Sequence, residues 1–297
     1  MSELFSFLFD PFQLEFMKKG LLTALFLSLS GGLLGSLLVL RRLALMGNAL
    51  AHSLLPGVAL AYLFLPDNPI SLFFGALLAA LLTSLCSALV TRLTRIKEDS
   101  AFAALFIVFF GAGLVLSSKV GTLVDLFHFL FGNILSVNSS DLWLTAGAST
   151  VTFSIILLFY RNILLETFDP IFYRATGGRG SIIHFVILGL TALNLVASLQ
   201  AMGIVLSLGL FILPAVTALL WTNRLSILLI IAVFTAMISS ITGIILSYHA
   251  CLPSGASIVI ALGFCFLLSA FISPQHGMIT RFLRTIREGK DILHTPN

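Results

Sequence analysis

The sequence predicts an all-α, polytopic membrane protein with about nine transmembrane helices plus one re-entrant or short helical segment. Three observations predict it. Of the 297 residues, 59% are hydrophobic and only 9% charged, where a soluble globular domain has about 25% charged residues. The mean hydropathy is +1.11. The charges cluster between apolar runs long enough to cross about 30 Å of hydrocarbon. A water-soluble core is therefore excluded. The net charge of +4 carries no nucleic-acid signal, because basic clusters placed this way report orientation first. Cys86, Cys251 and Cys265 form neither a disulfide framework nor a CxxC pair. The acidic start, MSELFSFLFDPFQLEF, lacks the basic region and cleavage site of a signal peptide, and residues 1–15 read as an interfacial segment.

The runs follow in order through one transmembrane domain spanning 1–297. Phe16–Leu40 is first, with a GGLLG patch (Gly31, Gly32, Gly35) suited to close helix contact. Ala44–Leu65 is second and ends in a tight PDNP turn, Pro66–Pro69. Ile70–Thr91 is third, closed by the polar segment Thr91–Asp99, and Ser100–Ser118 is fourth. Val120–Val137 is apolar but interrupted by Gly121, Asp125, His128 and Gly132. Asp141–Tyr160, Ser181–Gln200, Gly203–Trp221, Leu225–Ser247 and Ser254–Ser273 complete the set, and 274–297 is a polar, basic tail.

Counting charges decides the topology. If Val120–Val137 dips in and returns while the other nine runs cross, thirteen of the sixteen basic residues fall on one side. Only Lys18, Lys19 and Lys119 lie opposite. Were that run to cross, the bias would vanish. The positive-inside rule then puts the tail in the cytoplasm and the N-terminus outside.

On this topology the longest internal cytoplasmic loop is 161–180. Within it, TFDPIFYRATG reads as a short helix: Thr167 or Asp169 can cap it, Pro170 suits its first turn, and Gly177 stops it. Loop chemistry alone leaves two readings open, a docking helix for a partner or a plain connection. The chain has no GxxxxGK[ST] loop; GGRGS at Gly177–Ser181 lacks both the spacing and the lysine, so no ATP hydrolysis is expected. HExxH and GxSxG patterns are also missing. No crossing run carries an acidic residue in its middle, although ion-coupled carriers usually need one. The chain reads as a conduit powered from elsewhere, and not as an enzyme.

The conduit itself points to RRLALMGNALAHSLLPGVALAYLFLP, Arg41 to Pro66. Asn48, His52 and Pro56 are four residues apart and share one helix face, which should not be turned to lipid. An amide oxygen and an imidazole at i and i+4 can hold one cation between them, or they can simply hydrogen-bond within the bundle. Cys251, in HACLPSG, could be a soft ligand or a loop residue. Asp125 and His128 could share an outer vestibule or merely pack. His184, His249, His276 and His294 form no ligand constellation.

LLVLRRLALMGNALAHSLLPGVALAYL resembles the signature of the permease subunits of ABC importers for zinc, manganese and iron. There an arginine doublet precedes a Gly-Asp-x-x-x-His helix and a Leu-Pro-Gly-Val-Ala run. KEDSAFAALFIVFFGAGLVLSS, LFHFLFGNILSV, ETFDPIFYRATG, MGIVLSLGLFILPAVTALL and LPSGASIVIAL are similar to later blocks of that family, in order, from about Asp10 to Ser273. The resemblance implies a multi-pass permease of the bacterial plasma membrane (the inner membrane in a Gram-negative cell). It would pair with a second permease subunit, a copy or a relative. Further partners would be two cytoplasmic ATPase subunits and an extracytoplasmic metal-binding protein. It also implies roles: His52 and Asn48 on the metal path; Phe168, Asp169, Arg174, Ala175 and Gly177 in coupling to the ATPase; Pro56 and Gly57 as a structural helix break. The divalent metal would be cargo, not a permanently bound cofactor. One departure stands out, since Asn48 occupies the family's aspartate position and brings no negative charge. The other function considered is a self-sufficient secondary metal carrier or facilitator. The missing midspan acids and the coupling-like loop argue against it.

Overall fold

The computed structural model of the chain describes residues 10–65, 68–120, 134, 137–275, 277, 278 and 280. After a 3-10 turn at Asp10–Gln13, the described residues form twelve α-helices. These are α1 Glu15–Leu40, α2 Met46–Ser53, α3 Leu55–Phe64, α4 Pro69–Leu93, α5 Glu98–Val120 and α6 Ser139–Leu158. The two short helices α7 Tyr160–Phe168 and α8 Pro170–Ala175 precede α9 Gly180–Met202, α10 Ile204–Trp221, α11 Leu225–Ala250 and α12 Ser254–Ile272. Taking α2 and α3 as one span, the described residues supply nine helices long and apolar enough to cross a membrane. The Val120–Val137 run, with Asp125 and His128, lies outside the described residues except for Val120, which ends α5, and Ile134 and Val137, both buried. Residues 1–9 and most of the tail also lie outside them.

Helix α1 is the axis of the bundle. It packs on α10 and α11 along one side and on α6 along another, while α12 covers α10 and α11. A second layer, α2 to α5, joins α1 mainly through α9. The GGLLG patch makes these crossings possible. A Cβ on Gly31 would come 3.1 Å from the Leu210 carbonyl oxygen, one on Gly32 3.0 Å from Val233 Cα, and one on Gly35 would overlap the Phe211 backbone. Lipid tails are as apolar as leucine, so association between spans depends on such close packing and on polar contacts. The polar contacts are present: Ser28 and Ser240 hydroxyls lie 3.0 Å apart, Ser149 donates to the Phe26 carbonyl at 2.8 Å, and Asn194 donates to Thr152 Oγ1 at 2.5 Å.

The second span departs from a single straight helix. It breaks at Leu54, leaving α2 and α3 as separate pieces with Pro56 in the first turn of α3. Proline lacks an N–H and suits that turn, so the break falls just before it. The break is also where α5 comes close, since a Cβ on Gly113 would lie 2.6 Å from Leu55 Cβ and 2.9 Å from Pro56 N. Gly57 performs the same service for α4: a side chain there would run into the Gly75 carbonyl, and one on Gly75 would meet Ala61. Backbone thus rests on backbone at both crossings of the broken span.

Candidate functional site: a half-open span and the loop beside it

Helix α2 is short and buries most of its surface, with Met46, Leu50 and Ala51 fully enclosed. Asn48 is exposed at the surface of the chain, and His52, one turn on, is half-buried. The imidazole packs against two rings of α5. Its centroid is 5.5 Å from that of Phe106 and 5.7 Å, edge-on, from that of Phe110. Among the described residues no side chain hydrogen-bonds to Asn48 or His52, and no group of three or more His, Cys, Asp or Glu could hold a metal ion. Pro56 does not share their surface. It is buried against Gly113 across the helix break. An amide and an imidazole thus lie one turn apart without a hydrogen-bond partner among the described residues, the amide exposed and the ring half-buried.

Within the 161–180 loop the short helix expected from TFDPIFYRATG forms at Pro170–Ala175, while Tyr160–Phe168 before it is a further helix not expected from the sequence. Asp169, not Thr167, caps α8, with its Oδ1 accepting from the Phe172 N–H at 2.9 Å. Gly177 takes φ 83°, and the Gly178 and Gly177 amides close the helix on the Tyr173 and Arg174 carbonyls at 2.8 and 3.1 Å. That is a left-handed glycine closure with both its hydrogen bonds. Tyr173 and Ile163 anchor the loop inward, while Phe168, Ile171 and Phe172 stand 55%, 82% and 53% exposed. Arg174, Ala175 and Gly177 are exposed beside them. Three apolar side chains thus project from two consecutive helices, each too short to cross a membrane.

Between loop and span lies a cluster the sequence does not announce. The turn after α1 is closed by Arg42 in the left-handed region (φ 61°), with Leu43 N–H on the Leu38 carbonyl at 2.8 Å. The preceding Arg41 is partly buried. Its Nη2 donates to Thr167 Oγ1 and its Nη1 faces His184 Nδ1, both at 3.3 Å. The other imidazole nitrogen, Nε2, lies 2.8 Å from Glu98 Oε1, off the line of a well-directed hydrogen bond. Burial pushes the Arg41 guanidinium below its usual range, and the Glu166 and Glu98 carboxylates pull it back up. A guanidinium so high in reference pKa stays charged under both influences. His184 was given no role by spacing because its partners are far away in sequence; Arg41 is 143 positions earlier.

Cys251 closes α11 in left-handed backbone (φ 51°), with the Leu252 N–H on the Ser247 carbonyl at 3.1 Å. A turn accounts for its place.

The match to known proteins runs over the same elements. The model of the ABC 3 transport family covers residues 13–273. The chain belongs to that family. It is a metal-type ABC transporter permease, multi-pass in the bacterial plasma membrane. It is 41% identical over 285 residues to the manganese transport system membrane protein MntC of Halalkalibacterium halodurans, covering 96% of each chain. It is 37% identical to the probable iron transport system membrane protein of Haemophilus influenzae, over 90% of this chain and 97% of that one. Among solved structures, PsaBC from Streptococcus pneumoniae in complex with Fab superposes with a TM-score of 0.81 at 30% identity, covering 95% of this chain and 99% of the other.

Proposed function

We propose that this permease imports a divalent transition metal of the manganese and iron class, driven by separate ATPase subunits that dock on α7 and α8. The observation that carries the reading is α8, capped, stopped and presenting Ile171 and Phe172 outward beside Phe168, the last residue of α7. Apolar side chains on a helix too short to span need a partner to cover them. A chain without a phosphate-binding loop needs one to supply energy. On the positive-inside count the loop and the tail face the cytoplasm and the N-terminus faces outside.

His52 and Asn48 would hold the cargo in passing. An imidazole nitrogen and an amide oxygen, without thiolate, suit manganese and iron. Asn48 is exposed on the single chain, so it can face a second permease subunit that completes the coordination. An extracytoplasmic metal-binding protein would deliver the ion to the outer opening. ATP binding and hydrolysis would then bias the paired bundle between its outward- and inward-open states.

The test is uptake of radioactive Mn²⁺ into vesicles holding the permease with its ATPase and binding protein. Uptake that requires ATP and all three components is expected. Vesicles holding this chain alone that fill at the same rate without nucleotide would overturn the proposal in favour of a self-sufficient carrier.

A further inference from the structure

We propose that Arg41, His184 and Glu98 form a polar latch that carries movement of the α7–α8 loop to both walls around His52; this rests on the function proposed above. Arg41 leaves α1 and leads, within five residues, into α2, which bears Asn48 and His52. Glu98 is the first residue of α5, whose Phe106 and Phe110 pack on the His52 ring. Those rings lie about 12 and 18 Å along the same helix from Glu98, a distance over which a helix moves as a rod. His184 of α9 joins the two beginnings. The guanidinium only donates, so His184 Nδ1 accepts from it, and the Nε2–H is left to face the Glu98 carboxylate. The third attachment is to the loop itself, through Arg41 to Thr167 at 3.3 Å. Four elements thus meet around one partly buried cation: the α1–α2 turn, α5, α7 and α9.

The cluster is charged but not saturated. Arg41 Nε, Glu98 Oε1 and Glu166 Oε2 are buried without a well-directed hydrogen-bond partner. Buried ionic atoms left this way cost free energy, and their retention calls for an explanation. A second arrangement supplies one. The carboxylate of Glu166 rests against the first residue of α9, where a Cβ on Gly180 would lie 2.6 Å from its Oε1. A cavity of about 260 Å³ opens beside it, lined by Glu98, Glu166, Arg174 and His184. When a docked ATPase shifts α8, Glu166 has room to move toward Arg41 and displace the His184–Glu98 arm. That movement frees α5 from α9 and lets the Phe106–Phe110 wall shift relative to His52. Arg41, His184 and Glu98 touch no cargo on this account; they are positioning residues.

The experiment is the ratio of metal taken up to ATP hydrolysed, measured in the same vesicles of the full complex. Arg41→Gln and Glu98→Gln remove one charge each at nearly constant shape. Both are expected to leave ATPase co-purification at the wild-type level and to lower the ratio about ten-fold, the usual size of a coupling between sites. Arg41→Lys restores the charge and should recover part of the ratio. His184→Gln, which keeps a donor and an acceptor, should fall less than His184→Phe. A ratio unchanged in both charge-removing variants overturns the latch. So does, in both of these variants, a proportional fall of uptake and hydrolysis with loss of the assembled complex, which marks a merely structural cluster. Should Arg41→Gln fail to assemble, Glu98→Gln decides on the same ratio. Wild-type vesicles that ignore ATP would instead overturn the proposed function itself, so the two failures are distinguishable.

Discussion

At the loop end of the bundle, charge is partly buried and only partly answered: Arg41 meets Thr167 and His184, and two carboxylates lie close enough to raise its proton affinity. Around His52 the described residues form no ion pair with the ring, and the imidazole is met by the Phe106 and Phe110 rings. The first region is assembled within one chain. The second presents Asn48 at the surface of the chain and holds its two polar side chains without hydrogen-bond partners among the described residues. The difference follows from what each must do. A hinge between helices gains from strong, persistent contacts, whereas a site that must release its ion gains from weak ones.

The largest effect should come from the weaker-looking region. His52→Ala removes one of the two cation-binding side chains that α2 offers, and uptake of Mn²⁺ should fall to background. The variant should still insert and co-purify with the ATPase, because the ring is only half-buried and lies far from α8 in sequence. Uptake at the wild-type rate would take His52 off the path. At the loop end, Ile171→Asp places a charge at the most exposed apolar residue of α8. Docking of the ATPase should weaken about thirty-fold, the scale of one interfacial hot spot. Titration of the solubilised permease with purified ATPase measures it, and equal affinity would mean that the partner sits elsewhere.

Two glycines sharpen the comparison further. A Cβ on Gly113 meets Leu55 Cβ and the backbone nitrogen of Pro56, which cannot give way. A Cβ on Gly180 meets the end of the Glu166 side chain, which can. Gly113→Ala should therefore cost about 2 kcal/mol by forcing α5 off the helix break, and Gly180→Ala about half of that or less. Thermal unfolding of the two variants in the same detergent checks the order. Equal shifts would mean that the Glu166 carboxylate is held as rigidly as backbone.

How much of this was legible in the sequence depends on the range of the interactions. The apolar runs correspond to the nine membrane-length helices among the described residues because burial in hydrocarbon is written residue by residue. TFDPIFYRATG was legible for the same reason: its cap, its proline and its stop glycine act over three to five residues. GGLLG announced a close crossing, though not which helices would cross there. The resemblance puts a helix break at Pro56 and Gly57, and the chain breaks at Leu54, two residues earlier, because a proline in the first turn of a new helix looks like one inside an old helix until the neighbour at Gly113 is known. The Arg41 cluster was illegible throughout, since no local pattern pairs Arg41 with His184 or His184 with Glu98. In the sequence Arg41 is one of two orientation-setting arginines; in the fold it is the partly buried one and Arg42 the exposed one.

Asn48 offers the smallest and most discriminating change. Asn48→Asp replaces an amide by a carboxylate of nearly the same shape, so packing is undisturbed at this exposed position. The added charge should tighten retention of the ion by about ten-fold, as ligand charge does in other oxygen-donor cation sites. Slower release follows from tighter retention, so the maximal uptake rate should drop while the metal bound per assembled complex rises. A second effect separates the two regions of the molecule: the ratio of uptake to ATP hydrolysed should hold, because the Arg41 cluster is untouched. Metal analysis of the purified complex alongside vesicle uptake reads both quantities. Unchanged occupancy would remove Asn48 from the cargo's coordination. A fallen ratio with raised occupancy would mean that the ion site and the latch are not separable, and that charge at residue 48 is felt as far as the loop.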